Sequence, residues 1–85
     1  MQKPYIEFDT EIDSYYIYVT DEPIYKTKGI SQYINLDIDE EGFIVGIEAL
    51  DLGVKLPFQK FSQEYAMSLE LQNKIKELLK AIHKY

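Results

Sequence analysis

The stretch Leu36-Asp37-Ile38-Asp39-Glu40-Glu41-Gly42-Phe43-Ile44-Val45-Gly46-Ile47-Glu48 decides the fold, because it fits two incompatible local structures. Asp37, Asp39, Glu41, Gly42 and Glu48 match the spacing of the calcium-loop pattern D-x-[DN]-x-[DN]-G-x5-E, with Glu41 as its one mismatch. That loop needs a helix on either side. The approach Ile34-Asn35-Leu36-Asp37-Ile38-Asp39 instead alternates apolar and polar residues with the period of two that marks a half-buried strand. The exit Phe43-Ile44-Val45-Gly46-Ile47 is rich in β-branched residues and carries a Gly where a helix would start. A β-hairpin follows, with the turn Asp39-Glu40-Glu41-Gly42 closed by the positive φ that Gly tolerates. The reading contains no metal site, and Asp37, Asp39, Glu40 and Glu41 are expected to decorate an acidic hairpin edge.

Working outward, residues 4–9 and 14–20 read as two further strands around the turn Thr10-Glu11-Ile12-Asp13. Asp21-Glu22-Pro23 breaks the chain, since Pro cannot donate to a ladder, and residues 24–28 form a short third strand. The hairpin then supplies strands over residues 33–38 and 43–50. Gly53 and Pro57 punctuate a loop, after which the period changes. Met67, Leu71, Ile75, Leu78 and Ile82 recur at spacings of three and four, one apolar stripe on a helix capped by Ser68 or, further back, by Ser62. Glu70 with Lys74 is an i,i+4 pair, and Lys76, Lys80 and Lys84 suit the negative end of the helix dipole. The expectation is one α+β domain over residues 1–85. An antiparallel β-meander of four to five strands occupies residues 1–51, and one C-terminal amphipathic helix, residues 62–84, packs on one face.

A chain of 85 residues buries only about 60 to 65% of its unfolded surface, which argues against a deep catalytic cleft. The hydrophobic fraction of 46% is high enough for folding rather than disorder. The lack of Cys excludes disulfides and thiolate metal sites and is compatible with a reducing cytoplasm, the expected location. The start Met1-Gln2-Lys3-Pro4-Tyr5 lacks the apolar core of a signal peptide, and no apolar stretch approaches a membrane span of ~20 residues. Residues 1–51 hold twelve acids against three lysines, a net charge of −9; residues 52–85 hold six lysines against three acids, a net of +3. With no Arg and few Lys, direct nucleic-acid binding is not expected.

Alternation assigns faces. The second strand places Tyr15, Ile17 and Val19 on one side and Tyr16, Tyr18 and Thr20 on the other. The fifth places Phe43, Val45, Ile47 and Ala49 on one side, with Ile44, Gly46, Glu48 and Leu50 opposite. A sheet whose second face carries Tyr suggests a protein partner or a homo-oligomer, because Tyr combines apolar area with a hydroxyl that tolerates water.

Phe8-Asp9, Asp13-Ser14-Tyr15-Tyr16-Ile17, Leu36-Asp37-Ile38-Asp39, Gly42 and Val45-Gly46-Ile47-Glu48-Ala49-Leu50 together resemble the small prokaryotic family of domain of unknown function 2283 (DUF2283), over about residues 5–51. Val-Gly-Ile-Glu is the most specific segment; Tyr15-Tyr16-Ile17 departs slightly from the family's leucine-tyrosine-isoleucine, and the C-terminal helix is an extension. Some members occur beside small toxin-like genes, so the resemblance implies an antitoxin role by association. It supplies no catalytic residues.

The residues themselves give no enzyme. The lone His83 sits near the end of the helix, and Ser14, Ser31, Ser62 and Ser68 lack a nucleophile context. No cofactor is expected. Glu48 is the best single candidate for a special role and is expected to face water or to pair with a helix Lys. The leading expectation is a non-catalytic binding module, antitoxin or phage-type inhibitor, that masks a basic surface through Tyr16, Tyr18, Asp37, Asp39, Glu40, Glu41 and Glu48. The alternative is an oligomer whose ligand-binding or catalytic pocket forms between subunits.

Overall fold

A computed structural model describes residues 2–81. Five strands, β1 (Tyr5–Asp9), β2 (Ser14–Tyr18), β3 (Lys26–Gly29), β4 (Ile34–Ile38) and β5 (Ile44–Ala49), are followed by two helices, α1 (Phe58–Tyr65) and α2 (Leu69–Lys80). The sheet is antiparallel throughout with spatial order β1-β2-β5-β4-β3. It is therefore not one continuous meander. A β1–β2 hairpin and a β3–β4–β5 meander meet where β5 docks beside β2, and the segment 19–25 runs along one end of the sheet to connect them. Val19 and Thr20 donate to the Val45 carbonyl and Tyr25 donates to that of Ile38, which fastens this crossover to the strands beneath it.

The hairpin over Leu36 to Glu48 forms as its alternation demands. The N–H of Asp39 donates to the Phe43 carbonyl at 3.0 Å, Gly42 donates to the Asp39 carbonyl at 3.1 Å, and Gly42 has φ +91°. One feature breaks the alternation. Asp37 lies opposite Gly46 but Ile38 lies opposite Ile44, so Val45 is an extra residue and β5 carries a bulge. The bulge corrects the expected faces of this strand. Ile44, not Val45, joins Ile47 and Ala49 in the core cluster, Val45 is buried outside that cluster, and Phe43 is exposed.

The core lies between the helices and one side of the sheet. Tyr15, Ile17 and Val19 of the second-strand region meet Ile34, Leu36 and Ile38, and Phe61, Tyr65, Met67, Ile75 and Leu79 close over them. Their burial is the main stabilising term, about 1.5 to 3 kcal/mol for each large apolar side chain taken out of water. The side that the helices cover is thus the Tyr15/Ile17 side.

The C-terminal region holds two helices where one stretch was expected. Ala66 adopts the left-handed conformation, φ 53° and ψ 32°, and both it and Met67 donate to the Phe61 carbonyl, ending α1. Ser68 then caps α2 by accepting from the Leu71 N–H at 3.2 Å. Ser62, the alternative cap, is an exposed residue inside α1. Its hydroxyl accepts from Gln72, whose amide also donates to the Met67 carbonyl at 2.9 Å. The buried face of α2 is Gln72, Ile75 and Leu79, rotated from the expected stripe, with Leu71 and Leu78 half-buried. Ile82, His83 and Lys84 lie outside the described residues. Among the described residues, no helix is long and apolar enough to cross a membrane.

Candidate functional site

The face away from the helices is built by the polar positions of the same alternation. Tyr5 and Glu7 of β1, Tyr16 and Tyr18 of β2, Gly46 and Glu48 of β5, Asn35 and Asp37 of β4, and Thr27 of β3 occupy it in register. Tyr18 is the centre of an aromatic platform. Its ring stacks on Tyr5 at 4.6 Å and 15°, and meets Tyr16 edge-on at 4.7 Å and 64°.

Gly46 explains how Tyr16 is held. A Cβ at position 46 would run into the Tyr16 hydroxyl, so the absent side chain opens a gap in β5 through which the Tyr16 ring crosses. On the far side its hydroxyl donates to Asp37, which also accepts from the Thr27 hydroxyl. Asp37 thereby ties β2, β4 and β3 together across β5. Burial, then the hydrogen bond to Asp37, pushes the Tyr16 phenol well above its ordinary range. Tyr18 donates to Glu7 at 3.1 Å, and that bond raises its pKa as well. On the core side, burial alone pushes the Tyr15 phenol up to about 12.

Glu48 does not meet a helix lysine. Its half-buried carboxylate lies on the face opposite the helices and accepts from the Asn35 amide at 2.8 Å. Among the described residues, Glu7, Asp37 and Glu48 have no cationic side chain within ion-pair distance. A carboxylate offers about four acceptor sites, so each retains acceptor capacity as well as its charge. On the helices, Lys60, Lys74 and Lys80 pair with Glu64, Glu70 and Glu77. Lys76 sits over the Phe58 ring at 5.0 Å.

The candidate residues separate into two groups. Tyr16, Tyr18, Asp37 and Glu48 share the open face. Glu48 and Tyr16 also border an open groove of 620 Å³ at the β1–β2 turn end, lined further by Glu7, Asp9 and Glu11. Asp39, Glu40 and Glu41 lie at the opposite end, around a groove of 380 Å³ shared with Glu22 and Tyr25 of the crossover. Asp37 is accordingly not part of the exposed hairpin edge. Asp39 is half-buried and structural, its Oδ1 accepting from the Glu41 and Phe43 N–H groups at 2.9 and 3.0 Å. Sequence reasoning missed Tyr5, Glu7, Asn35 and Thr27, although the alternation Tyr5-Ile6-Glu7-Phe8 already put Tyr5 and Glu7 on one side.

Among the described residues, no group of three or more His, Asp or Glu side chains is placed to hold a metal ion. The carboxylates are spaced along a face instead of converging on a point, a layout suited to an extended cationic ligand. No curated protein and no solved structure matches this chain. A family model described as "Protein of unknown function (DUF2283)" matches residues 5–52, which is more than half of the chain and contains the whole sheet, and the chain belongs to that family.

Proposed function

We propose that this chain is a non-catalytic protein-binding module whose open sheet face seats a basic segment of a partner, masking it as an antitoxin or a phage-type inhibitor would. The observation that carries the reading is the combination on one face of a three-tyrosine platform with Glu7, Asp37 and Glu48, acids lacking a cationic partner among the described residues. Tyr supplies large, rigid contact area at low entropic cost, and the acids supply charge that attracts and orients a basic surface. Direct hydrogen bonds already hold these side chains in place, so little ordering entropy is lost when a partner docks. The hairpin-tip acids Asp39, Glu40 and Glu41 extend the negative field without contributing to the platform.

The test is affinity capture from the native host with the intact protein and with Tyr18→Ala and Glu48→Gln variants, followed by titration of any captured protein at two salt concentrations. The expected result is a partner with a basic contact surface. Its affinity falls about tenfold or more for Tyr18→Ala, consistent with loss of an aromatic anchor worth at least about 1.4 kcal/mol. It also weakens as salt shortens the screening length from about 10 Å towards 3 Å. Salt-insensitive binding, or capture unchanged by both substitutions, would remove the open face from consideration.

A further inference from the structure

The Tyr5–Tyr18 stack already has a cation beside it. Lys3, immediately before β1, has its ammonium 5.9 Å from the Tyr5 ring centroid and pairs with Asp21 of the crossover. Its side chain is only 22% exposed, whereas that of Asp21 is 88% exposed. Tyr18, the other half of the stack, holds Glu7 by its hydroxyl. The Lys3 ammonium is therefore held between an aromatic ring and an acid from separate segments, beside a stack whose second ring carries Glu7, the kind of setting that recognises a cation. Among the three lysines of residues 1–51, Lys3 alone stands here. Lys26 and Lys28 fall opposite Ile38 and Leu36, on the helix-covered side, where Lys28 lies 5.7 Å from the Tyr65 ring.

We infer that the Tyr5–Tyr18 stack, bordered by Glu7 and Asp21, is the subsite for an arginine side chain of the partner's basic segment, and that Lys3 occupies it as an internal competitor in the unbound protein. The inference rests on the proposed binding role of the open face and adds a location, a residue type and a regulatory contact to it. Arginine fits better than lysine because its planar guanidinium stacks on an aromatic ring while its fork of donors reaches carboxylates on both sides. Lys3 offers a point charge on a flexible stem, so it holds the subsite weakly and can be displaced. Binding then exchanges one cation for another, and the apparent affinity is lowered by the fraction of molecules in which Lys3 is in place.

The experiment is fluorescence anisotropy with a labelled (Arg-Gly)4 peptide at low salt, using the intact chain, Lys3→Ala, Lys3→Gln and Lys26→Ala. Lys26→Ala removes the same charge from the opposite side and serves as the control for net charge. Removing the competitor should tighten binding about three- to tenfold in both Lys3 variants, against less than about twofold for Lys26→Ala. In parallel, the peptide should shift the Tyr5 and Tyr18 ring proton resonances of Lys3→Ala more than those of Tyr65, which is buried in the core on the helix-covered side. Should the Lys3 variants bind no tighter than Lys26→Ala while the intact chain binds in a salt-dependent way, the competitor and its subsite are wrong and the broader reading stands. If none of the four proteins binds the peptide, both fall. Thermal unfolding of each variant confirms that a folded protein is being measured.

Discussion

Replacing Gly46 by Ala is the sharpest probe of the open face. The new Cβ would meet the Tyr16 hydroxyl and stand 2.5 Å from its Cζ and 3.0 Å from its Cε1, so the ring must leave the gap in β5. Its departure breaks the hydrogen bond to Asp37 and the edge contact with Tyr18. A hydrogen bond to a charged group contributes about 1.5 to 3 kcal/mol, and the half-exposed position of Tyr16 puts this one at the lower end. The aromatic contact adds about 0.5 to 1.5 kcal/mol. Against this, Ala in a strand is favoured over Gly by roughly 0.5 to 1 kcal/mol. The net expected destabilisation is about 1 to 2.5 kcal/mol, which with a urea m-value of about 1 kcal/mol/M lowers the midpoint by about 1 to 2.5 M. The decisive assay is the double-mutant cycle with Tyr16→Ala. Once the ring is gone, Ala at position 46 meets nothing that must move, so Gly46→Ala becomes neutral or slightly stabilising in that background. An equal cost in both backgrounds would refute the account of Tyr16 crossing β5 through the glycine gap.

Three other measurements bear on the remaining structure. Ala66→Gly should raise stability by about 0.5 to 1 kcal/mol, because Gly relieves the left-handed conformation at the α1 terminus while its unfolded-state entropy offsets part of the gain; differential scanning calorimetry should show a rise of a few degrees, and a fall would mean that the two helices are continuous. Gln72→Ala should cost about 1 to 2 kcal/mol in chemical denaturation, since it strips the Met67 carbonyl and the Ser62 hydroxyl of their shared donor. The Tyr15 pKa of about 12 is raised above the ordinary 10, so its contribution to stability is complete below pH 10 and disappears as pH climbs from 10 through 12. Tyrosinate absorbance should therefore lag for Tyr15 and Tyr16 until the chain unfolds, and ionisation of these two near pH 10 in the folded protein would contradict their placement.

Local patterns were legible and long-range choices were not. All five strands begin and end within two residues of the positions that alternation and turn chemistry assign, and Gly42 closes the hairpin as expected. The split of β2 into a Tyr15/Ile17 side and a Tyr16/Tyr18 side also holds. The order β1-β2-β5-β4-β3 depends on which strand edges meet, information that no local period contains. The bulge sits at Val45, a good strand former with no conformational signature, so the shift of Ile44 into the core had no warning in the sequence. The helix break escaped notice for a similar reason. Ala66 is a strong helix former that nonetheless stands in a left-handed turn, its N–H donating to the Phe61 carbonyl, and the Ser68 cap one residue after Met67 was the only local sign of a second start. Within the candidate site, the Val-Gly-Ile-Glu segment was recognisable, but the function of Gly46 required knowing that Tyr16 lies across it.

The acids of this chain differ in what charge they have left to offer, and that difference separates a binding face from a solvated edge. Asp39 spends its carboxylate on two N–H groups of its own turn, and Asp51 likewise accepts from the Gly53 N–H at 2.7 Å; both are local devices that shape loops. Glu64, Glu70 and Glu77 face lysines one turn away, pairs that are exposed and worth only about 0.3 to 0.5 kcal/mol each. Glu7, Asp37 and Glu48 are held instead by neutral donors, Tyr18, Tyr16 with Thr27, and Asn35. Neutral donors orient a carboxylate without cancelling its charge. Three uncancelled charges fixed beside stacked rings create a field that a diffusing cation can use, whereas the same acids on mobile loops would be screened and would lose entropy on contact. On this argument Asp37→Asn should weaken a basic ligand more than Glu40→Gln does, although each removes one charge. Equal losses, measured by calorimetry on the same ligand, would mean that net charge alone governs binding and that the placement of these acids is incidental.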